Sequence, residues 1–340
     1  MNSIKFNSIH TNNKQQTLSK MMLMSAATTH TIKNSNVILT QCPICLSNNI
    51  TTYTEKFGYS MDKCLQCQQV FCNPMPSQLQ LENYYNGPMK QFENQFFIDS
   101  FENRIPIFSY RIDVIKQYIT SGRLLDIGSA IGIFIEALKR SNLAIEIDCC
   151  EPSNDAKEKL KQRFPDINVY DCWLQDMPDT KRYDAITLWD TLEHIVDLTG
   201  LCEKIYSLLS PGGYWFFSTP NLDSFEWKIA GRNHVQILPP GHVNLFNSGN
   251  IDILLERFGF ELIDYQTPNG SLDVSYIKKL IENNSDYDLN LGRFLLENLE
   301  QTKFSEEFTN LLVNSKKAGN MFVIARRPDI KKTKLHHETI

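Results

Sequence analysis

The chain has no run of 18 apolar residues among its 340, so no helix long enough to span a bilayer is expected. The nearest approach, Met21–Ala27, is seven residues long, at the bottom of the range for a signal-peptide core. Acidic residues are missing before Glu55, and arginine is missing from the same stretch. An acid-free, Ser/Thr-rich start hints at an organelle transit peptide, but those favour arginine. Residues 1–38 have too little apolar surface to offset their ordering entropy and read as a disordered polar tail. An overlong start, with Met21, Met22 or Met24 as the truer beginning, is the alternative. A basic excess is missing too: 34 Lys and Arg stand against 39 Asp and Glu, a net charge of −5. That balance argues against a dominant nucleic-acid-binding surface. Hydrophobic residues, at 42 %, are ample for one or two domains.

Cysteine, by contrast, is abundant, with nine in the chain. Cys42 and Cys45 form one C-x2-C pair and Cys64 and Cys67 another, separated by eighteen residues. Each pair can bite one tetrahedral ion from a tight turn, and two such knuckles close a four-thiolate zinc site. Two chance pairs, or a redox dithiol, are the competing readings. Four thiolates leave no open position, so the zinc is expected to be structural. Residues 39–76 form this zinc-ribbon module, which has too little core to fold without its ion. Cys64→Ser is expected to release the metal and leave the main domain folded. From residue 38 to 100 there are three lysines, no arginine and five acids, whereas a nucleic-acid-reading ribbon would be basic. Cys72, Cys149, Cys150, Cys172 and Cys202 read as reduced and buried, which indicates a reducing compartment and a cytoplasmic location. Residues 77–120 carry an aromatic stretch that includes Tyr84, Tyr85, Phe97 and Phe108. It reads as helices packing on the main domain, with a lid over a ligand pocket as the sharper alternative.

From residue 121 the pattern is strand, turn, helix, repeated. Leu124–Ile127 is a short apolar run ending at Gly128, and Ile131, Phe134, Ile135 and Leu138 follow at helical spacing. Ala144–Cys150 alternates and ends in Glu151, after which Ser153 can cap a helix. Asp184–Leu188 reads as a buried strand, Leu198–Leu208 as an amphipathic helix stopped by Pro211-Gly212-Gly213, and Tyr214–Phe217 as another strand. Ser248 is expected to cap a further helix, ended by Gly259. This alternation predicts an α/β domain with a Rossmann-like, mainly parallel sheet over residues 121–328. Its ligand belongs at the carboxyl ends of the strands. Residues 266–319 read as a polar insertion with one amphipathic helix at Leu291, Phe294, Leu295 and Leu299; covering the substrate, a homodimer contact and simple packing all stay open for it. Residues 329–340 read as a tail.

The first turn reads Asp126-Ile127-Gly128-Ser129-Ala130-Ile131-Gly132. Small residues let a ligand approach the backbone, and a helix start offers free N–H groups. The spacing is not the G-x-G-x-x-G of a dinucleotide site, which counts against a nicotinamide dehydrogenase. Glu151 can accept hydrogen bonds from both hydroxyls of a ribose, with a helix cap as its ordinary alternative.

Leu125–Gly132, then Glu151-Pro152-Ser153, then Asp190-Thr191-Leu192-Glu193-His194, then Leu209–Gly213 together resemble a class I S-adenosylmethionine-dependent methyltransferase. The resemblance covers residues 120–265. The Lys63–Cys67 knuckle running on to Pro74, and Pro239-Pro240-Gly241-His242 with Phe246, resemble bacterial small-molecule methyltransferases with an N-terminal four-cysteine zinc ribbon. The resemblance implies a seven-stranded sheet whose last strand, Met321–Ala325, is reversed. It implies S-adenosylmethionine as cofactor, with Gly128 to Gly132 against its methionine part, Glu151 on its ribose, and Asp190 and Thr191 near the methyl group. Two departures stand out. Ala130 replaces the usual central glycine, and the acid that often meets the adenine amino group is replaced by Trp173, with Leu174 next; a tryptophan could pack on the adenine instead.

A base is needed only where the acceptor must lose a proton. His194, just past a strand end, and His242, in a Pro-Gly loop, are the candidates; a helix-capping and a surface-loop histidine are the alternatives. The expected function is methyl transfer to oxygen or carbon of a small-molecule acceptor: a sugar, a lipid-linked compound or a secondary metabolite. An RNA methyltransferase and a catalytically silent cofactor-binding scaffold are the other readings.

Overall fold

The structure is a computed structural model that describes residues 36–268 and 289–329. The expected tails at 1–38 and 329–340 fall almost wholly outside the described residues, as does the first part of the expected insertion at 266–319. Three strands open the chain: β1 (Ile50–Lys56), β2 (Tyr59–Cys64) and β3 (Val70–Cys72) form an antiparallel ladder. Phe57 and Gly58 both take positive φ between β1 and β2, the conformation a two-residue hairpin turn requires. Three helices follow, α1 (Gln78–Tyr85), α2 (Pro88–Asp99) and α3 (Phe101–Ile115). Ser77 and Gln80 cap α1 reciprocally, and Pro88 opens α2, where a missing N–H costs nothing.

The main domain alternates as its apolar periodicity requires. In chain order it runs β4 (Ser121–Ile127), α4 (Ile133–Arg140), β5 (Ala144–Cys150), α5 (Asn154–Arg163), β6 (Asn168–Tyr170), β7 (Tyr183–Trp189), α6 (Leu198–Leu208) and β8 (Leu209–Pro220). It continues with α7 (Phe225–Ala230), β9 (Asn244–Leu245), α8 (Ser248–Arg257), β10 (Glu261–Gln266), α9 (Leu289–Asn298), α10 (Thr302–Asn314) and β11 (Asn320–Arg326). The seven-stranded sheet has the order β10-β11-β8-β7-β4-β5-β6. β4 to β8 pair in parallel, and β11 lies antiparallel to both neighbours. This is the class I methyltransferase fold, a Rossmann-like sheet with a reversed last strand. Phe216, Phe217 and Phe322 are fully buried on its faces, worth roughly 1.5–3 kcal/mol apiece against exposure. The chain enters at central β4, moves out to β6 and returns to β7, so the crevice for a ligand lies at the carboxyl ends of these strands. Among the described residues no helix is long and apolar enough to cross a membrane.

Local expectations are refined in three places. The cap of α8 is Asn247, not Ser248, because Asn247 and Asn250 exchange side-chain-to-backbone hydrogen bonds. Pro211-Gly212-Gly213 does not separate helix from strand; it sits inside β8 as an irregularity, where the register with β7 jumps from Leu209 to Tyr214. The late segment carries a second helix, α10, beside the expected one. Both pack on α7 through Ile229, Leu299, Phe225 and Phe308.

The larger difference concerns the N-terminal module. β3 pairs with β9, Val70 against Leu245 and Phe71 against Asn244, so the ladder has a fourth strand from the main domain. Cys42, Ile44, Met61, Phe71 and Met75 share one apolar cluster with Leu125, Leu192, Val243, Leu245 and Phe246. The module is therefore packed as part of the main core, and its loss is expected to disturb the rest. Its few strands have too little apolar surface of their own, and they borrow the main core.

Candidate active site

A cavity of about 560 Å³ opens at the carboxyl ends of β4, β5 and β7, within the size range of small-molecule sites. Its floor is the turn after β4. Gly128 takes φ +73°, and a Cβ there would meet the Thr191 hydroxyl at 2.7 Å, so only glycine fits. Ala130 is also left-handed, φ +48°, at a cost of about 1–2 kcal/mol relative to glycine. Its N–H donates to Glu151 Oε2 at 2.8 Å, and Ser153 N–H donates to Oε1 at 2.8 Å. The two amides fix the Glu151 carboxylate at the end of β5. Burial pushes its pKa up while these two N–H groups pull it back.

Asp126, Gly128, Ser129, Ala130, Glu151, Trp173, Leu174, Asp190, Thr191, His194 and His242 all line this one cavity. Gly132 is the exception among the cofactor and catalytic positions named from sequence. It begins α4 with φ +84°, and a Cβ there would meet Phe164 at 2.4 Å and Leu160 at 2.7 Å. Its small size serves the packing of α4 on α5, not the cavity wall. Asp171, the acid nearest the adenine position, points out and pairs with Lys157, which pulls its carboxyl below the usual range. Trp173 faces the cavity, with Tyr85 edge-on to it at 6.0 Å.

Asp126 lies under the turn, 1 % exposed. Its Oδ1 accepts from Thr187 Oγ1 at 2.6 Å, and Oδ2 has no hydrogen-bond partner. Burial pushes the carboxyl up to about 7. A raised pKa in the fold means that the native state holds a proton which the unfolded chain has released, so stability falls as pH rises from about 4 to 7. Asp126→Asn is expected to remove that loss; a thermal-denaturation series across this window, flatter in the variant than in the parent, is the check.

The cavity lining also holds a charge pair that sequence reasoning missed. Asp190, at left-handed φ +49°, accepts from Arg111 Nη2 at 3.2 Å, Ser218 Oγ at 2.9 Å and Asn320 Nδ2 at 2.7 Å. Burial alone would raise this carboxyl; the Arg111 charge and these hydrogen bonds override it and hold it below the usual range. Arg111 is itself buried, its guanidinium 4.7 Å from the rings of Phe108 and Trp189. Its only signal in the sequence was its place in the aromatic stretch. That stretch does two jobs: Phe101, Ile105, Ile112 and Ile115 pack into the core, while Tyr85, Phe97 and Phe108 wall the cavity.

Two residues far apart in sequence, His194 and His242, meet here, ring centroids 4.7 Å apart and edge to face. His194 Nδ1 lies 2.7 Å from the Gly241 carbonyl, and His242 Nδ1 lies 3.0 Å from the Gln236 carbonyl. A carbonyl only accepts, so each Nδ1 carries the proton, and Nε2 of His194 is the basic nitrogen. Burial, then the His242 and Lys90 charges, push the His194 pKa well below its ordinary value. Glu193 beside it is buried and pushed up to about 8, by burial and by the Asp190 charge. One ligand atom each from Glu193, His194 and His242 lie within 4.8 Å of one another, a spacing suited to a cation.

The four cysteines of the N-terminal module also converge. Cys42 and Cys67 Sγ are 3.5 Å apart, as are Cys45 and Cys64 Sγ, and all four sulfurs lie within 4.8 Å. Zinc–sulfur bonds of about 2.3 Å put the corners of a tetrahedron ~3.8 Å apart, so the set fits a four-thiolate ion.

A sequence profile described as a methyltransferase domain matches residues 108–265. A ubiquinone biosynthesis O-methyltransferase of Coxiella burnetii is 32 % identical over 168 residues, 45 % of this chain and 70 % of that protein. One from Actinobacillus pleuropneumoniae is 29 % identical over 145 residues, 38 % of this chain and 62 % of that one. Among solved structures, a SAM-dependent methyltransferase from Archaeoglobus fulgidus aligns with a TM-score of 0.44 and 19 % identity, over 68 % of this chain and 99 % of that one.

Proposed function

The chain belongs to the S-adenosylmethionine-dependent methyltransferases, and from that premise we propose that it methylates the hydroxyl oxygen of a small-molecule acceptor. The observation that carries the reading is convergence in one cavity. The Gly128 turn, Glu151, Asp190 and the His194–His242 pair all line it. The relatives with the same domain are O-methyltransferases by name, which supports oxygen over carbon. The acidic balance of the N-terminal module supports a small acceptor over RNA.

The residues fit the cofactor. Gly128 leaves the floor open, the Glu151 carboxylate, fixed by two backbone amides, would take the ribose hydroxyls, and Trp173 and Leu174 would offer an apolar wall for adenine. When bound, the cofactor supplies an already activated methyl for in-line displacement, so positioning carries much of the rate, up to about 7–11 kcal/mol in the best cases. Nε2 of His194 takes the proton of the acceptor hydroxyl. Asp190, held by Arg111, orients the acceptor, and the aromatic helices exclude water. Cys42, Cys45, Cys64 and Cys67 hold a structural zinc ion that takes no part in the chemistry.

Glu151→Gln keeps the shape but loses charge-assisted hydrogen bonds worth about 1.5–3 kcal/mol. Cofactor affinity is expected to fall roughly 10–100-fold by titration calorimetry, and an unchanged affinity would take Glu151 out of the site. The reading as a whole is tested by titrating the chain with S-adenosylmethionine and its demethylated product. The protein is then offered 13C-methyl donor and a panel of hydroxylated small molecules. Tight binding and an O-methyl resonance are expected; labelled carbon or RNA products, or no binding, would reject it.

A further inference from the structure

His194 is held by one short segment of chain on three sides. Its ring is fixed by the Gly241 carbonyl. The carbonyl before it, of Glu193, accepts from Val243 N–H at 2.8 Å. The carbonyl after it, of Ile195, accepts from Asn244 Nδ2 at 2.7 Å. His242 belongs to the same segment. Whatever fixes residues 241–244 therefore fixes both histidines.

That segment is fixed in turn by the four-cysteine module. Cys72 N–H donates to the Val243 carbonyl at 2.8 Å, and β3 pairs with β9 at Asn244 and Leu245. Asn244 is fully buried, and its Oδ1 accepts from Nε2 of Gln69, also fully buried, at 3.2 Å. The Gln69 carbonyl accepts from the amide of Cys64 at 2.8 Å, closing the second cysteine knuckle. Asn247 Nδ2 donates to the Cys67 carbonyl at 3.1 Å. A short chain of hydrogen bonds thus runs from the knuckle through Gln69 and Asn244 to the backbone of Ile195.

We propose that Gln69 and Asn244 are positioning residues that make the cysteine knuckle part of the acceptor side of the active site. The metal-bearing turn sets the placement of Gln69, Gln69 orients the Asn244 amide, and Asn244 sets the 193–195 turn that aims His194. The inference rests on the reading of His194 and His242 as the acceptor side, but its geometry can be tested without an acceptor.

The test uses the full-length, zinc-loaded protein with Asn244→Leu and Gln69→Met. Methionine is close to glutamine in volume and adapts to a buried site. Three quantities are read: metal content, affinity for S-adenosylmethionine, and the ring resonances of His194 and His242 by nitrogen-15 correlation. In both variants one equivalent of zinc and parental cofactor affinity are expected, with both histidine resonances displaced. Once an acceptor is known, kcat is expected to fall up to about a hundredfold, the scale of a small misplacement, with the acceptor KM less affected. Histidine resonances at their parental positions in Gln69→Met, with the metal retained, overturn the proposal even if Asn244→Leu does not fold. Failure of the parent to bind the cofactor would instead overturn the methyltransferase site and leave the coupling to be judged on the resonances alone.

Discussion

Cys64→Ser is expected to destabilise the whole protein in a single transition. Serine is a poor ligand for a soft-ligand zinc site, and the bound ion in isolated zinc fingers is worth about 10–16 kcal/mol of apparent free energy. A domain's entire stability is about 5–15 kcal/mol, so the loss is a large part of the total. It spreads because Cys64 sits in the same apolar cluster as Leu125, Trp215 and Leu245, and because β3 is bonded to β9. Loosening the module exposes the underside of Val243, Leu245 and Phe246, each fully buried in the fold. Thermal unfolding followed by the buried tryptophans, beside limited proteolysis of residues 40–75, is the check. Both signals should move together to lower temperature. A protease-sensitive module above a main transition at its parental temperature would show that the shared core contributes little.

The second large effect is expected from His194→Asn. Asparagine keeps a donor for the Gly241 carbonyl but has no basic nitrogen at the Nε2 position. Removing a positioned general base costs typically about 10²–10⁴ in rate, while cofactor affinity, carried by the Gly128 turn and Glu151, should hold. The pH profile separates this role from a structural one. The His194 pKa lies well below its ordinary value because the ring is buried, so it is neutral and competent at pH 7. The rate should fall only as acid protonates it, and that limb should vanish in the variant. A variant that keeps the acid limb and most of its rate would assign proton removal elsewhere, with His242 the first to test.

Much of the main domain could be read in advance because its pattern is local. Ala144–Cys150 forms with the ends expected of it, and a helix forms over Leu198, Leu201, Ile205 and Leu208, since alternation and helical spacing are written in neighbouring residues. Glu151 and Gly128 were legible as candidates for the same reason: each follows the end of a strand. What was not legible depends on residues far apart in sequence. Nothing near Asn244 announces that it completes a strand ladder begun at residue 50. Nothing near Arg111 says that its partner is Asp190, 79 positions later. Gly132 misled in the other direction. It shares a motif with Gly128, yet its missing side chain makes room for Phe164. The order of Pro211-Gly212-Gly213 spoke for a break, and pairing across the sheet absorbed it as an irregularity.

The pairing of Phe71 with Asn244 also has a meaning in time. Roughly 170 residues separate the two, and synthesis at about 5–20 residues per second leaves the first ladder without its fourth strand for ~10–35 s. During that interval Val70, Phe71 and Cys72 present an open edge and an apolar face with no main core to lie on. Contacts this distant in sequence slow the search for the native arrangement. A ladder made before its partner strand is thus among the last parts of the fold to be finished, and the cell that makes this chain must keep that edge from other chains while it waits.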